Sequence, residues 1–408
     1  MTTALRDMIA NPTTAELELV ARYGMQPEDS RRERLFEAFS KTGLPHRRLE
    51  AWKWTDFRAA LQGLDRPSTP PAQDPIPHAG ALVFRFTPNG YFPPDHIPDG
   101  LNVFEKNEAQ ALGAAEDVPL GALAASLSGG KAGPATLLLE VTSKELPRLH
   151  FQFSGEGEAN FARVVVVVRP DMALTVSESH LGGAGLTSSV IEFGLQKGST
   201  VNRTVYQRGT SEETIASTAL VHLDADSHYT QTSLAFGAKV ARLETRVTHQ
   251  EPSAKATLNA AYLVGKDLHA DFTTHVRHGA NSCVTRQLTK GAVLNGGTGV
   301  FQGKFFVPRT AGQYTDADMQ HKALLLEDGA VVFAKPELEI YADDVECAHG
   351  NTSGALDDDQ LFYMRQRGLP EKTARALLTQ AFVAEAFAEA GALEEVLRAE
   401  AEAWLAAA

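Results

Sequence analysis

Cysteine is almost missing from this chain: Cys283 and Cys347 are the only two in 408 residues. Two thiols 64 positions apart make no disulfide framework, so a reducing compartment is expected. Long apolar runs are missing too. No stretch of about 18 apolar residues occurs, and no membrane-spanning helix is expected. The first twenty residues, MTTALRDMIANPTTAELELV, lack a basic stretch followed by an apolar one, so no secretory signal is expected. The expected location is the cytoplasm, where the Asn351-Thr352-Ser353 sequon carries no information. Basic charge is in short supply: 38 Lys and Arg against 51 Asp and Glu leave a net charge of −13. Nucleic-acid partners are not expected, because neutralising phosphate needs clustered cations.

Familiar catalytic signatures are also missing. There is no G-x-S-x-G elbow and no H-E-x-x-H helix. GTGVFQGKF (297–305) resembles a phosphate loop, but only three residues separate Gly299 from Gly303, and Phe305 stands where a hydroxyl must reach Mg²⁺. If nucleotide is hydrolysed in this system, another polypeptide is expected to do it.

What is present changes character along the chain. Residues 1–65 read as a helical domain, with Thr14 as a cap for AELELVARYG and Pro27 opening PEDSRRERLFEAFSKTG. Residues 66–134 begin Pro-rich, DRPSTPPAQDPIPHAG, and read as a linker with short mixed strands. From 135 to 350, short β-rich runs follow one another with almost no helical interruption, among them ARVVVVVRP, RLETRVTH and GKFFVP. VVVVV predicts a strand covered on both faces. Two architectures fit this length: two consecutive sandwiches or one β-solenoid of stacked coils. The solenoid is preferred, although no strict short repeat is visible. Residues 351–408 return to helix. DDDQLFYMRQRG carries aspartates at its start, Arg365 and Arg367 at its end and Gly368 as its stop. Leu378, Phe382 and Ala386 then form a helical stripe, and Leu393, Leu397 and Trp404 another. These helices read as a small domain with its own core, or as a face that docks another subunit.

Two constellations carry possible chemistry. Asp224 and Asp226 in HLDADSH would share a strand face and suit acid/base work of the kind carbohydrate-active β-solenoids perform. Cys347 and His349 in DDVECAHG would also share a face. An adjacent imidazole can lower a thiol pKa, and both groups suit soft or borderline metals. One Cys and one His make half a tetrahedral site, so further ligands would have to come from acidic residues, other histidines or a partner. The remaining histidines, including His222, His249, His278 and His321, are scattered.

The stretch KPELEIYADDVECAHGNTSGALDDDQLFYMRQRGL (335–369) resembles the C-terminal core signature of the SufD family of iron–sulfur cluster assembly proteins, within the SufB/SufD superfamily. GVFQGKFFV and QYTDADMQHKALLLEDGA resemble the same family in the same order, and GLPHRRLEAWKWTDF is similar to its N-terminal segment. The resemblance implies a mainly β protein: a right-handed parallel β-helix flanked by N- and C-terminal α-helical domains. It implies a non-catalytic scaffold that pairs with the paralogue SufB through the end of the β-helix, and a C-terminal domain that receives the ATPase SufC. Leu361, Phe362, Arg365, Arg367, Leu378 and Phe382 are the implied ATPase-facing residues. His349 is implied at the inter-subunit assembly site, with Cys347 at the same interface. Iron or a nascent cluster would be held there transiently, with no tightly bound cofactor in the isolated chain. Exposed β-helix ends leave self-pairing as a homodimer open to the chain when the partner is missing. The scarcity of cysteine argues against a SufB-like cluster holder.

Overall fold

The computed structural model describes residues 8–67, 70–106, 117–129, 136–309 and 311–407. Positions 68–69, 107–116 and 130–134 of the expected linker, and 1–7 of the expected N-terminal domain, lie outside the described residues.

The strands are β1 (Ala81–Thr87), β2 (Gly90–Phe92), β3 (Leu101–Lys106), β4 (Thr136–Val141), β5 (Arg148–Phe153), β6 (Asn160–Val168), β7 (Ala173–His180), β8 (Leu186–Leu195), β9 (Thr200–Gln207) and β10 (Thr214–Leu223). They continue as β11 (His228–Ala235), β12 (Val240–His249), β13 (Lys255–Val264), β14 (His269–His278), β15 (Val284–Val293), β16 (Thr298–Val307), β17 (Asp316–Leu325), β18 (Val331–Ile340) and β19 (Glu346–Gly354). From β5 onward, odd strands stack in one sheet and even strands in the other, and each strand pairs in parallel with the strand two positions on. This is a two-sheet parallel β-solenoid. The short strands expected in 66–134 are β1, β2 and β3, and the solenoid stacking already begins with them. β1 already pairs in parallel with β5, while β2 and β3 close the first coils antiparallel.

The coil repeat is carried by turn geometry. Asp171, Gly198, Asp226, Ser253, Ser282 and Tyr314 all have φ between 57° and 68°. Each sits in the turn that leads from the even-strand sheet to the odd-strand sheet. The N–H of each bonds the carbonyl of a residue in the next coil's turn: Asp171 to Lys197, Gly198 to Ala225, Asp226 to Pro252, Ser253 to Asn281, Ser282 to Gln313 and Tyr314 to Asp344. A left-handed residue therefore recurs every 27–32 positions. No sequence repeat shows, because its side chain changes at almost every coil. Any short residue that tolerates positive φ at modest cost serves, and Tyr314 shows that stacking can impose it on others.

Alternate residues of each strand face the lumen. Phe84, Leu139, Phe151, Val166, Val176, Phe193, Tyr229, Leu258, Phe301 and Met319 belong to one continuous buried core. β6 is buried on both faces, as VVVVV predicts. Its outer face is covered by the N-terminal helices. These are α1 (Thr14–Tyr23), α2 (Ser30–Ser40), α3 (Phe57–Ala60) and, from the middle of the chain, α4 (Pro119–Leu127). Leu19, Phe36, Phe39 and Leu123 pack there against Phe161, Val190 and Leu220. The cap of α1 is Thr13, not Thr14. Thr13 accepts from the Glu16 N–H at 3.2 Å, and Glu16 accepts the Thr13 N–H at 2.7 Å, a reciprocal capping box. Asp29 rather than Pro27 begins α2, because its carboxylate accepts the Arg31 N–H.

The C-terminal helices are α5 (Asp358–Gln366), α6 (Glu371–Ala384) and α7 (Glu394–Ala407). The expectation that they form a core of their own is not met. Val383, Ala386, Phe387, Leu393 and Leu397 pack onto Tyr206, Leu234, Phe236, Leu263 and Ala292 on the outer face of the odd-strand sheet. Tyr206 Oη donates to Glu400 Oε2 at 2.8 Å, and Arg375 Nη2 donates to the Leu326 carbonyl at 2.9 Å. Half-buried apolar stripes on α6 and α7 found a ready apolar sheet in the same chain, which buries more surface than three short helices can bury together.

Candidate functional site at the open end of the solenoid

Coils stack until β18 and β19, and no described strand pairs beyond them. Their outer edges leave rows of backbone N–H and C=O groups without sheet partners. β18 carries edge-blunting residues, Lys335, Pro336, Glu337 and Glu339, whereas β19 reads ECAHGNTSG, small and weakly charged.

Register decides what β19 presents. Cys347 pairs with Ala317, His349 with Met319 and Asn351 with His321. Ala317 and Met319 face the lumen core, so Cys347, His349 and Asn351 occupy lumen-facing positions of the last coil. Nothing described stacks over them. Cys347 is half-buried and packs against the core, while His349 is exposed. Cys347 and His349 therefore share the lumen-facing side of β19, at the mouth of the lumen.

The thiol is not activated. Burial, and then the charge of Asp316, push the Cys347 pKa up from its ordinary value of 9.0. His349 contributes nothing that offsets this. A thiolate is the form that reacts and ligates. Alkylation of Cys347 by iodoacetamide is accordingly expected to rise with pH through a midpoint above 9, in Cys283→Ser protein so that one thiol is read. A midpoint near neutrality would contradict this electrostatic reading.

One group beneath the mouth carried no sequence signal. His321, fully buried, meets Asn351 Oδ1 through Nδ1 at 2.7 Å and Tyr262 Oη through Nε2 at 2.8 Å. It stacks on Phe301 with centroids 4.8 Å apart. Burial lowers its pKa to about 4, so the ring is neutral at pH 7. With Nδ1–H donating to Asn351, Nε2 accepts the Tyr262 hydroxyl, and a polar thread runs from the mouth into the lumen. The three residues come from β13, β17 and β19, and only coil stacking joins them. Tyr262 also explains the false phosphate loop. A Cβ on Gly299 would lie 2.3 Å from Tyr262 Cε2, and one on Gly303 would lie 2.5 Å from Met319 Sδ. These glycines lie within β16 and make room for lumen side chains.

Asp224 and Asp226 do not share a strand face. β10 ends at Leu223 and β11 begins at His228, and Asp226 has φ 58° in the turn between them. Alternation no longer applies there, and the carbohydrate-active alternative loses its carboxylate pair. Of the C-terminal residues, Leu361 is buried and Phe362 is 63% exposed. Arg365 pairs with Glu371 at 3.3 Å, and Arg367 Nη2 donates to Tyr363 Oη at 2.7 Å. Leu378 is half-buried. Phe382 is partly spent on the solenoid, with Lys290 Nζ 4.2 Å from its ring centre. The accessible aromatic surface is Phe362 with Tyr363, which is 59% exposed.

The fold is a two-sheet parallel β-solenoid with helices packed on both sheets, and its terminal coil, unpaired among the described residues, bears the Cys-x-His pair. The family described as "SUF system FeS cluster assembly, SufBD core domain" matches residues 151–382, and the chain belongs to it. An iron–sulfur cluster assembly SufBD family protein of Synechocystis sp. is 28% identical over 84% of this chain and 83% of its own length. The iron–sulfur cluster assembly protein SufD of Escherichia coli is 36% identical over 40% of each chain. The chloroplastic protein ABCI7 of Arabidopsis thaliana is 32% identical over 55% of this chain and 48% of its own. Among the described residues no helix is long and apolar enough to cross a membrane.

Proposed function

We propose that this chain is a SufD-type, non-catalytic scaffold subunit of a cytoplasmic iron–sulfur assembly complex. Its open coil pairs with a SufB paralogue, and α5 and α6 receive the SufC ATPase through Phe362, Tyr363 and their neighbours. Iron or a nascent cluster is the cargo, held transiently at His349 and Cys347 together with groups of the partner. The observation that carries this reading is the terminal coil: long unpaired strand edges surround a lumen-facing Cys-x-His pair that is an incomplete ligand set by itself.

Co-expression with SufB and SufC and purification through a tag on this chain tests the reading. All three chains are expected to co-elute, and the complex is expected to accumulate iron and sulfide well above the isolated chain. An isolated chain that never captures either partner would end the proposal.

A further inference from the structure

A different cluster lies at the opposite part of the solenoid, where the Pro-rich strap 70–80 crosses the outer face of the odd-strand sheet. Asp74 and His78 come from the strap and His150 from β5. Asp74 Oδ2 lies 2.9 Å from His150 Nε2 and 3.3 Å from His78 Nε2, and the three candidate ligand atoms all fall within 4.8 Å of one another. Cis ligands around an octahedral ion stand about 2.9 Å apart and those around a tetrahedral one about 3.3 Å, given bonds of about 2.0–2.1 Å to nitrogen or oxygen. The two carboxylate–imidazole separations fall at these values, and the third pair, His78 and His150, lies within the 4.8 Å limit.

The ligands are also held. His150, fully buried, meets Ser177 Oγ through Nδ1 at 2.9 Å, which orients Nε2 toward the cluster. Ser177 is the register partner of His150 on β7. Asp74 Oδ1 accepts from Ser179 Oγ at 2.7 Å and from the Ile76 N–H at 3.0 Å, leaving Oδ2 to the imidazoles and to Gln152 Nε2 at 2.9 Å. Partners that orient the ligands in this way are the usual companions of a metal site. The side chain of His78 is 45% exposed, so the remaining coordination positions open to solvent. Arg148 donates to the Pro77 carbonyl and fastens the same strap.

We propose that Asp74, His78 and His150 form a binding site for one first-row divalent transition-metal ion, a two-histidine, one-carboxylate set with open positions. That donor set suits Zn²⁺, Co²⁺ or Fe²⁺ over Ca²⁺ or Mg²⁺, which prefer oxygen ligands. The bound ion clamps the strap to β5. This site is separate from Cys347 and His349 and stands whatever the open end does.

The test uses the full chain, stripped with chelator and titrated with Co²⁺ by absorption and with Zn²⁺ by calorimetry. Wild type is expected to take up one equivalent and to gain thermal stability with Zn²⁺. A Cys347→Ala/His349→Ala double variant is expected to retain both properties. His78→Ala, at an exposed position that leaves folding intact, is expected to lose at least about tenfold in affinity together with the Zn²⁺-dependent shift. No saturable uptake by wild type, unchanged uptake by His78→Ala, or loss in the Cys347/His349 double variant would each overturn the site.

Discussion

Arg203→Ala is expected to lower stability by about 3–5 kcal/mol, the cost of leaving a buried charge without its partner. Arg203 and Glu178 lie inside the lumen, 3% and 0% exposed. Arg203 Nε donates to Glu178 Oε1 at 2.6 Å and Nη2 to Oε2 at 2.7 Å, while Nη1 donates to Gln231 Oε1 at 2.7 Å. Such a bidentate pair, with its remaining donor satisfied, leaves no slack for one member to be removed. The apparent Tm is expected to fall by roughly 4–6 °C. The double change Arg203→Met/Glu178→Gln is expected to recover much of that loss, because it removes both charges. An Arg203→Ala protein that melts with wild type would show that water reaches this part of the lumen.

The same pair sets an acid limit. Burial would raise the Glu178 pKa, but the charge and hydrogen bonds of Arg203, with that of His180, outweigh it and hold the group at about 2. A folded pKa below the unfolded value of 4.5 means the contribution is full above about pH 4.5. It is lost as pH falls toward 2. Glu244, held at about 2 chiefly by Arg242 and Arg246 against its burial, acts in the same window. Loss begins earlier through histidine. His278 and His321 have folded values of about 4 through burial. The unfolded chain therefore binds more protons between pH 6.5 and 4, and stability falls with pH across that range too. Tm measured from pH 7 to 3 is expected to decline throughout, and Arg203→Met/Glu178→Gln is expected to be flatter below pH 4.5.

His349→Ala is expected to have the opposite profile: little change in stability and a large change in cargo. The ring is exposed at the last coil and supports no core, so the stability cost is expected to stay within about 0.5 kcal/mol. Iron and sulfide retained by the complex with SufB and SufC are expected to drop at least roughly tenfold, the loss that even an outer-shell contact can produce at a metal site. Complex formation and cluster content are read separately from one purification. An intact complex with unchanged iron and sulfide would make His349 a bystander and leave the chain as support alone. Failure of the complex itself would place His349 in subunit pairing.

Much of the fold was legible in residue patterns. Helical periodicity at both ends, β-rich runs between them and the double burial implied by VVVVV follow from local preferences, which act within a few residues. The start of the solenoid was not. β1 lies in a stretch that reads as linker with short strands, and its place in the solenoid is hidden because its partner β5 is more than sixty residues away. The caps were misplaced by one or two residues, since the choice between Thr13 and Thr14 rests on a hydrogen bond and not on residue type.

At the site, the sequence determined the Cys-x-His pair, its common side, the failed phosphate loop and the shortage of thiols that makes a complete cluster site within one chain impossible to assemble from cysteine. Tertiary structure alone decided the rest. It placed the pair at lumen-facing positions of a coil over which no described strand stacks, and raised the Cys347 pKa through burial. It joined Asn351, His321 and Tyr262, put Asp226 in a turn, and folded the C-terminal helices onto the chain's own sheet. It also brought Asp74 and His78 to His150. The physical reason is common to all of these. Side-chain direction repeats every two residues and can be read locally, but burial, charge and ligand geometry depend on neighbours about 4.8 Å away across the sheet. In a solenoid those neighbours are some thirty positions off in the sequence.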